Sequence, residues 1–249
     1  MKVIVCGVGG RMGKAICELA ETGFRGVEIV AGCDIAPVKD VSFPVFSKPD
    51  EIAVNADCII DFSHHTGTAD LLDFACCTSI PVVLATTGHT EEESRKIEEA
   101  SKHIPVFHSA NMSVGIALLV ELAKTTAKAF PDANIEIIEK HHNRKLDAPS
   151  GTALLLANAI KEIRQKAAFV FGRHGQAKRT NEEIGIHAIR MGNIVGEHEV
   201  IVGTDTQTIT LKHEAHSRAL FAEGALVAAD YLIGQPAGLY DMKKMLTEE

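Results

Sequence analysis

The stretch from Lys2 to Asp34 constrains the possible folds more than any other part of the chain. A β-branched, buried-strand pattern at Lys2–Cys6 runs into Gly7-Val-Gly-Gly-Arg-Met-Gly13. A helical stretch follows at Lys14–Thr22, then a second strand at Val27–Cys33 that ends on Asp34. Strand, glycine turn, helix, strand and acid, in that order, is the dinucleotide-binding arrangement. Gly7 permits the tight turn, Gly9 or Gly10 lets the backbone approach a pyrophosphate, and Gly13 allows close helix–strand packing. Asp34 is placed to accept hydrogen bonds from ribose hydroxyls, and a carboxylate there opposes a 2′-phosphate. The alternative is an acid that merely caps its turn. Ile35-Ala-Pro-Val-Lys39 brings no immediate basic residue, which favours NADH over NADPH, although Lys39 or Arg11 could still reach a phosphate.

The alternation continues. Strand patterns at Ala56–Phe62, Pro81–Thr86 and Ile104–His108 are separated by helical patterns at Thr66–Cys77 and Thr90–Lys102. This implies a Rossmann-type α/β fold, a doubly wound parallel sheet with ligands at the carboxyl ends of its strands. Those ends are Asp61-Phe62-Ser63, Thr86-Thr87-Gly88 and Ser109-Ala110-Asn111, all small or polar apart from Phe62. From Ser113 the texture changes. A long amphipathic helix at Ser113–Phe130 is followed by an apolar strand at Asn134–Ile138, a polar loop, and a helix to about Lys166. Candidate strands at Ile184–Arg190, Gly196–Gly203 and Gln207–His213 suit an antiparallel meander, and Ser217–Leu232 is helical again. The expected division is a dinucleotide-binding domain, residues 1–112 completed by 217–249, and an α+β substrate and oligomerisation domain, residues 113–216, with a mixed or antiparallel sheet.

The net charge of −8 over 249 residues argues against a nucleic-acid partner. An anionic ligand must then be captured by a local cationic pocket. The loop Glu139-Lys-His-His-Asn-Arg-Lys-Leu-Asp-Ala-Pro-Ser-Gly-Thr152 could supply one, with imidazoles at His141 and His142, cations at Arg144 and Lys145, and a helix start at Ser150. Its plain reading is a solvated basic loop with an ordinary N-cap. The six cysteines show no metal-ligand spacing and read as reduced thiols. The pair His64-His65 lacks neighbouring ligands and suits a loop or cofactor-edge role. His108 and His213 are expected to satisfy backbone partners. No metal is expected. No apolar segment is long enough to span a bilayer, so a cytoplasmic protein with no membrane partner is expected.

Taken together, Gly7–Gly13, Asp61–Ser63, Thr86–Gly88, Asn111-Met-Ser-Val-Gly115, Glu139–Thr152 and Arg190-Met-Gly-Asn-Ile-Val-Gly-Glu-His198 resemble the dihydrodipicolinate reductase family of bacterial lysine and diaminopimelate synthesis. The resemblance spans nearly the whole chain. The glycine motif is generic, whereas the run from His141 to Thr152 is highly specific. It implies reduction of a cyclic dicarboxylated imine by NAD(P)H, with His141 as the acid and Lys145 as the cation for a substrate carboxylate. It also implies substrate contacts from His142, Gly151 and Thr152. On the cofactor side it implies Gly7, Gly10, Arg11, Met12, Gly13, Asp34, Phe62, Ser63, Thr86, Thr87, Gly88, Ala110, Asn111 and Met112, with Phe221 near the nicotinamide or adenine. The family is typically homotetrameric. Ile35 departs from relatives that carry a basic residue there, which puts dual cofactor use in doubt. Two other readings stand beside it: a different dinucleotide-dependent dehydrogenase of amino or imino acids, and a dinucleotide sensor without catalysis.

Overall fold

The computed structural model describes residues 1–247. Glu248 and Glu249, the last two residues of the segment expected to complete the first domain, lie outside the described residues. The chain begins β1 (Lys2–Cys6), α1 (Arg11–Glu21), β2 (Glu28–Cys33), β3 (Val45–Phe46), β4 (Cys58–Asp61), α2 (Thr68–Thr78), β5 (Val82–Leu84), α3 (Glu91–Ala100) and β6 (Pro105–His108). It continues with α4 (Val114–Ala129), β7 (Asn134–His141), α5 (Gly151–Ile163), β8 (Ala168–Phe171), β9 (Glu183–Arg190), β10 (Gly196–Gly203) and β11 (Thr208–Ala215). It ends with α6 (Ala219–Leu232), β12 (Gly238–Tyr240) and α7 (Met242–Thr247). Two compact units result, one of Met1–Ser113 with the chain from Ala219 onward, the other of Val114–Arg218.

The first unit is a Rossmann-like layer of seven parallel strands in the order β12-β6-β5-β4-β1-β2-β3. Val3, Ile4, Val5, Ile59, Ile60, Val82, Val83 and Leu84 are wholly buried, as expected for strands covered on both faces. On α6 the run Ala222, Gly224, Ala225, Ala228 and Ala229 is buried, and its small side chains let other backbone come close. Gly224 is the extreme case: a Cβ there would lie 1.7 Å from the carbonyl oxygen of Met112.

The second unit is a mixed five-stranded sheet, order β11-β10-β7-β9-β8, with one face covered by α4 and α5. Ile135 and Ile137 of β7, Ile184 and Ile186 of β9, and Val200 and Val202 of β10 meet Leu119, Leu156 and Ile160 of the helices. The three late strands do not form the expected meander. β7 lies between β10, to which it is antiparallel, and β9, to which it is parallel. Period-two alternation reports that a segment is extended, not which segment it pairs with. β3, β8 and β12 were not anticipated because they are too short to show alternation.

Of the two histidines expected to satisfy backbone partners, His108 packs edge-on against the ring of His89 at 5.1 Å. The Nδ1 of His213 has no hydrogen-bond partner among the described residues, so neither imidazole rests on the backbone group expected for it. The close approach at α6 sets a test. Gly224→Ala should improve intrinsic helix propensity by about 1 kcal/mol, yet destabilise the protein by roughly 2 kcal/mol or more through the clash. Chemical denaturation of both proteins decides which effect wins, and an unchanged or raised midpoint would show that the backbone gives way freely.

Candidate active site

The alternation that buries Ile135 and Ile137 does not stop at Ile138. β7 runs on to His141, so the residues read as the start of a loop are strand, and Glu139 and His141 face inward with the isoleucines. Two residues apart on one strand means one face of the sheet. The consequence is a direct contact: Nδ1 of His141 lies 2.6 Å from Oε2 of Glu139, with both side chains nearly excluded from solvent.

Glu139 is a hub. Its Oε2 also accepts from Arg190 Nη1 at 2.8 Å, and its Oε1 accepts from Arg190 Nη2 at 2.7 Å and from the Ser150 amide at 3.0 Å. Burial pushes this carboxyl upward, but the hydrogen bonds from His141, Arg190 and Ser150 outweigh it and hold the group at about 2. Arg190 Nη2 further donates to the carbonyl of Asp147 at 2.6 Å, which ties down the loop between β7 and α5. Ser150 caps α5, its Oγ accepting from the amide of Ala153 at 3.2 Å, and the same Oγ lies 3.1 Å from Nε2 of His198.

His198 is the register partner of Glu139 on β10, and its ring stands edge-on to that of His141 at 5.2 Å. Burial, with the neighbouring His141, lowers it to about 4. Gly196, beside it on the same strand, leaves room over the far nitrogen of His141, where a Cβ would come within 3.2 Å of Nε2.

The remaining residues of the run lie on the turn and the helix start. His142 is half-buried, lowered by burial and then by Arg144, and its Nδ1 has no partner among the described residues. Lys145 pairs through Nζ with Asp147 Oδ1 at 2.8 Å, which holds the Asp147 carboxyl below its usual range. Arg144 is taken up by Asn143 and Asn193. Gly151 and Thr152 open α5, where backbone N–H groups point out of the helix end. His141, His142, Lys145, Gly151 and Thr152 therefore belong to one small region of the second unit.

In the first unit the glycine turn has little space. A Cβ on Gly7 would lie 2.7 Å from the carbonyl oxygen of Phe62, and one on Gly13 would lie 2.4 Å from that of Gly7. Asp34 accepts from the amide of Gly9 at 2.9 Å and from that of Ala36 at 3.0 Å, so it does cap its turn. It also lines a cleft of about 1240 Å³ together with Gly7, Gly10, Phe62 and Ser63. His64, given a loop or cofactor-edge role from the sequence, shares that cleft with Ser47, Lys48 and Phe74, which had not been singled out for it. Lys48 follows β3, a strand hidden from sequence reading, which is why Lys39 and Arg11 had seemed the nearer cations.

Arg11, Met12, Gly13, Thr86, Thr87, Gly88, Ala110, Asn111, Met112 and Phe221 are not among the residues lining the cleft. Arg11 is exposed at the first turn of α1 and Met12 half-buried beside it. Thr86 is buried and donates to Asp61 Oδ2 at 2.7 Å, while Asp61 Oδ1 accepts from the Ser63 amide at 3.0 Å. Asp61 thus joins two of the strand-end loops. Thr87, Gly88 and Ala110 are exposed, and the Asn111 side chain accepts from the amide of Ser113 at 2.9 Å. Met112 is buried, and Phe221 is half-buried on α6. His64 caps the turn before α2, whereas His65 bonds Glu93 at 2.9 Å. Among the described residues no group of three or more His, Cys, Asp or Glu is arranged to hold a metal ion.

Two family models match the chain: dihydrodipicolinate reductase, N-terminus, over residues 1–112, and dihydrodipicolinate reductase, C-terminus, over residues 115–246. The chain is 48% identical to the 4-hydroxy-tetrahydrodipicolinate reductase of Caldanaerobacter subterraneus subsp. tengcongensis, covering 99% of this chain and 98% of the relative. It is 49% identical to that of Clostridium novyi, covering 98% of each. Among solved structures, a dipicolinate-bound dihydrodipicolinate reductase from Paenisporosarcina matches with a TM-score of 0.82 at 23% identity, over 99% of each chain.

The buried histidine sets a pH dependence. His198 at about 4 lies below the usual 6.5, so the folded state favours the neutral ring. Above about pH 6.5 it is neutral folded or unfolded and contributes nothing to the slope; between 6.5 and 4 only the unfolded chain gains the proton. Stability should therefore fall by up to roughly 3 kcal/mol across that window on its account. Urea unfolding at the two ends should show a smaller loss in His198→Gln than in the parent, and equal losses would exclude His198 as the source.

Proposed function

The chain belongs to the dihydrodipicolinate reductase family, and from that premise we propose that it reduces 4-hydroxy-tetrahydrodipicolinate to tetrahydrodipicolinate with NAD(P)H, in lysine and diaminopimelate biosynthesis. The observation that carries the reading is His141 seated on a buried carboxylate, in one region with Lys145 and the start of α5.

The first unit fits a dinucleotide. Gly7 and Gly13 occupy positions where a Cβ would strike backbone, so the turn closes tightly into α1, and Gly10 and Asp34 line the cleft there, where a pyrophosphate and a ribose would lie. When bound, the reduced nicotinamide supplies a hydride. Gly10, Arg11, Met12, Phe62, Ser63, Thr86, Thr87, Gly88, Ala110, Asn111, Met112 and Phe221 are the further residues proposed to hold it. NADH is the preferred form in this reading, because Asp34 repels a 2′-phosphate and Ile35 gives it no cation; Lys48, on the cleft wall, is the residue that moderates that preference.

On the second unit, His141 supplies a proton from Nε2, the ring nitrogen not engaged by Glu139. Lys145 exchanges Asp147 for a substrate carboxylate, and the amides at Gly151 and Thr152 favour the same anion through the helix end. His142 contributes a second imidazole to a dianionic ring. A dinucleotide sensor has no use for a proton donor built in this way. A related dehydrogenase of amino acids would not require this run, and the structures of that kind resemble the chain only in fold, at 12% identity for a diaminopimelate dehydrogenase.

The open face of the five-stranded sheet supports a homotetramer: Lys140 bridges Glu197 and Glu199 there, beside the half-buried Ile138 and Ile201. The six free thiols suit a reducing compartment, which supports a cytoplasmic location. No helix among the described residues is long and apolar enough to cross a membrane.

Turnover is read as loss of reduced-nicotinamide absorbance with the cyclic imine generated in place by the preceding aldolase. His141→Gln should lower kcat by roughly 10²-fold or more with NADH affinity little changed; normal turnover would remove His141 from the mechanism. Ile35→Arg should raise NADPH use relative to NADH, and an unchanged ratio would mean that Asp34 does not face the ribose.

A further inference from the structure

Each oxygen of Glu139 has two hydrogen-bond partners, His141 and Arg190 on one and the Ser150 amide and Arg190 again on the other, and the guanidinium and the amide can only donate. The side chain is wholly excluded from solvent. Arg190 donates to both oxygens, so a protonated or amide side chain in that place would set a donor against the guanidinium whichever way it turned. The group is therefore a carboxylate, and the Arg190 fork keeps it ionised and aimed.

A carboxylate at 2.6 Å from Nδ1 requires the proton of His141 to sit on Nδ1. The exchangeable position is then Nε2, at the other end of the ring, where Gly196 leaves space that any larger residue would fill. The neighbouring ring of His198 bonds Ser150 and does not compete for Glu139.

We propose that Glu139 is the positioning residue of the reaction: it holds His141 in the Nδ1–H form throughout, so that the proton delivered to substrate is the one on Nε2. This rests on the reading of His141 as the acid. During delivery the Nε2–H bond breaks and leaves its electron pair on Nε2, the enamine electron pair of the substrate forms the new C–H bond, and the neutral ring keeps its proton on Nδ1, hydrogen-bonded to Glu139. Without the carboxylate, the ring can settle as the Nε2–H neutral tautomer, which is far too weak an acid to serve.

A purely structural Glu139, which only bridges β7, β9 and the cap of α5, would also lose stability when replaced. The imidazole tautomer separates the two roles. In the unmodified enzyme labelled with nitrogen-15 at histidine, the neutral form of His141 should show a protonated Nδ1 and a bare Nε2. An Nε2–H ring there overturns the proposal, and this measurement requires no variant to fold.

Glu139→Gln should lower kcat by roughly 10²-fold, leave the Kd for NADH within about twofold, and move His141 toward the Nε2–H form. Unchanged kcat, or a lowered kcat with the Nδ1–H tautomer retained, overturns it. Ser150→Ala is the control, because it removes the helix cap but keeps the backbone amide on Glu139; the tautomer should stay as in the parent, and a shift would mean that the cap, not the carboxylate, sets it. Full turnover in His141→Gln would instead remove the acid assignment while leaving the tautomer result standing, so the two failures are distinguishable.

Discussion

A buried carboxylate is expensive, and Glu139 persists only because four donors converge on it. Removing a carboxylate from water carries a penalty of several kcal/mol even after relaxation, and it is offset only when the geometry satisfies both oxygens. The satisfied state fixes much else. Arg190 comes from β9, Ser150 from the start of α5, and His141 from β7 itself, so one charge determines how a strand end, a neighbouring strand and a helix start are placed. The same cluster leaves the far nitrogen of His141 as the group able to move a proton.

The first unit depends on shape more than on charge. Gly7 and Gly13 stand where backbone atoms already occupy the space a side chain would need. The cap that Asp34 places on Gly9 and Ala36 holds the carboxylate at the cleft wall, so turn-capping and ligand-facing are two uses of one side chain. Asp61 works in a similar way beneath the strand ends. Burial raises its carboxyl, the hydrogen bonds from Ser63 and Thr86 oppose that, and the loops that carry those residues are joined.

Much of this is legible in the amino-acid sequence. The glycine spacing, the acid closing β2 and the strand–helix alternation announced a parallel sheet, because those signals are local and depend only on backbone freedom and periodicity. The run from His141 to Thr152 marked the region of the second unit where imidazoles, a lysine and a helix start gather. Pairing was not legible. The strands of the second unit looked like neighbours in chain order, yet β7 separates β9 from β10. β3 is two residues long, and with it Lys48 went unnoticed.

By itself the sequence determined the residue types, their two-residue and glycine-turn spacings, and so the class of fold and of chemistry. Glu139 was in plain view throughout, and its offset of two from His141 on an alternating strand was the signal that could have exposed the pair. Only the tertiary structure decided that Arg190, 51 positions away, would close the carboxylate from one side and the Ser150 amide from the other. Sheet register and the seating of a helix end choose partners far apart in the chain, and a buried charge cannot be assigned a role until those partners are known.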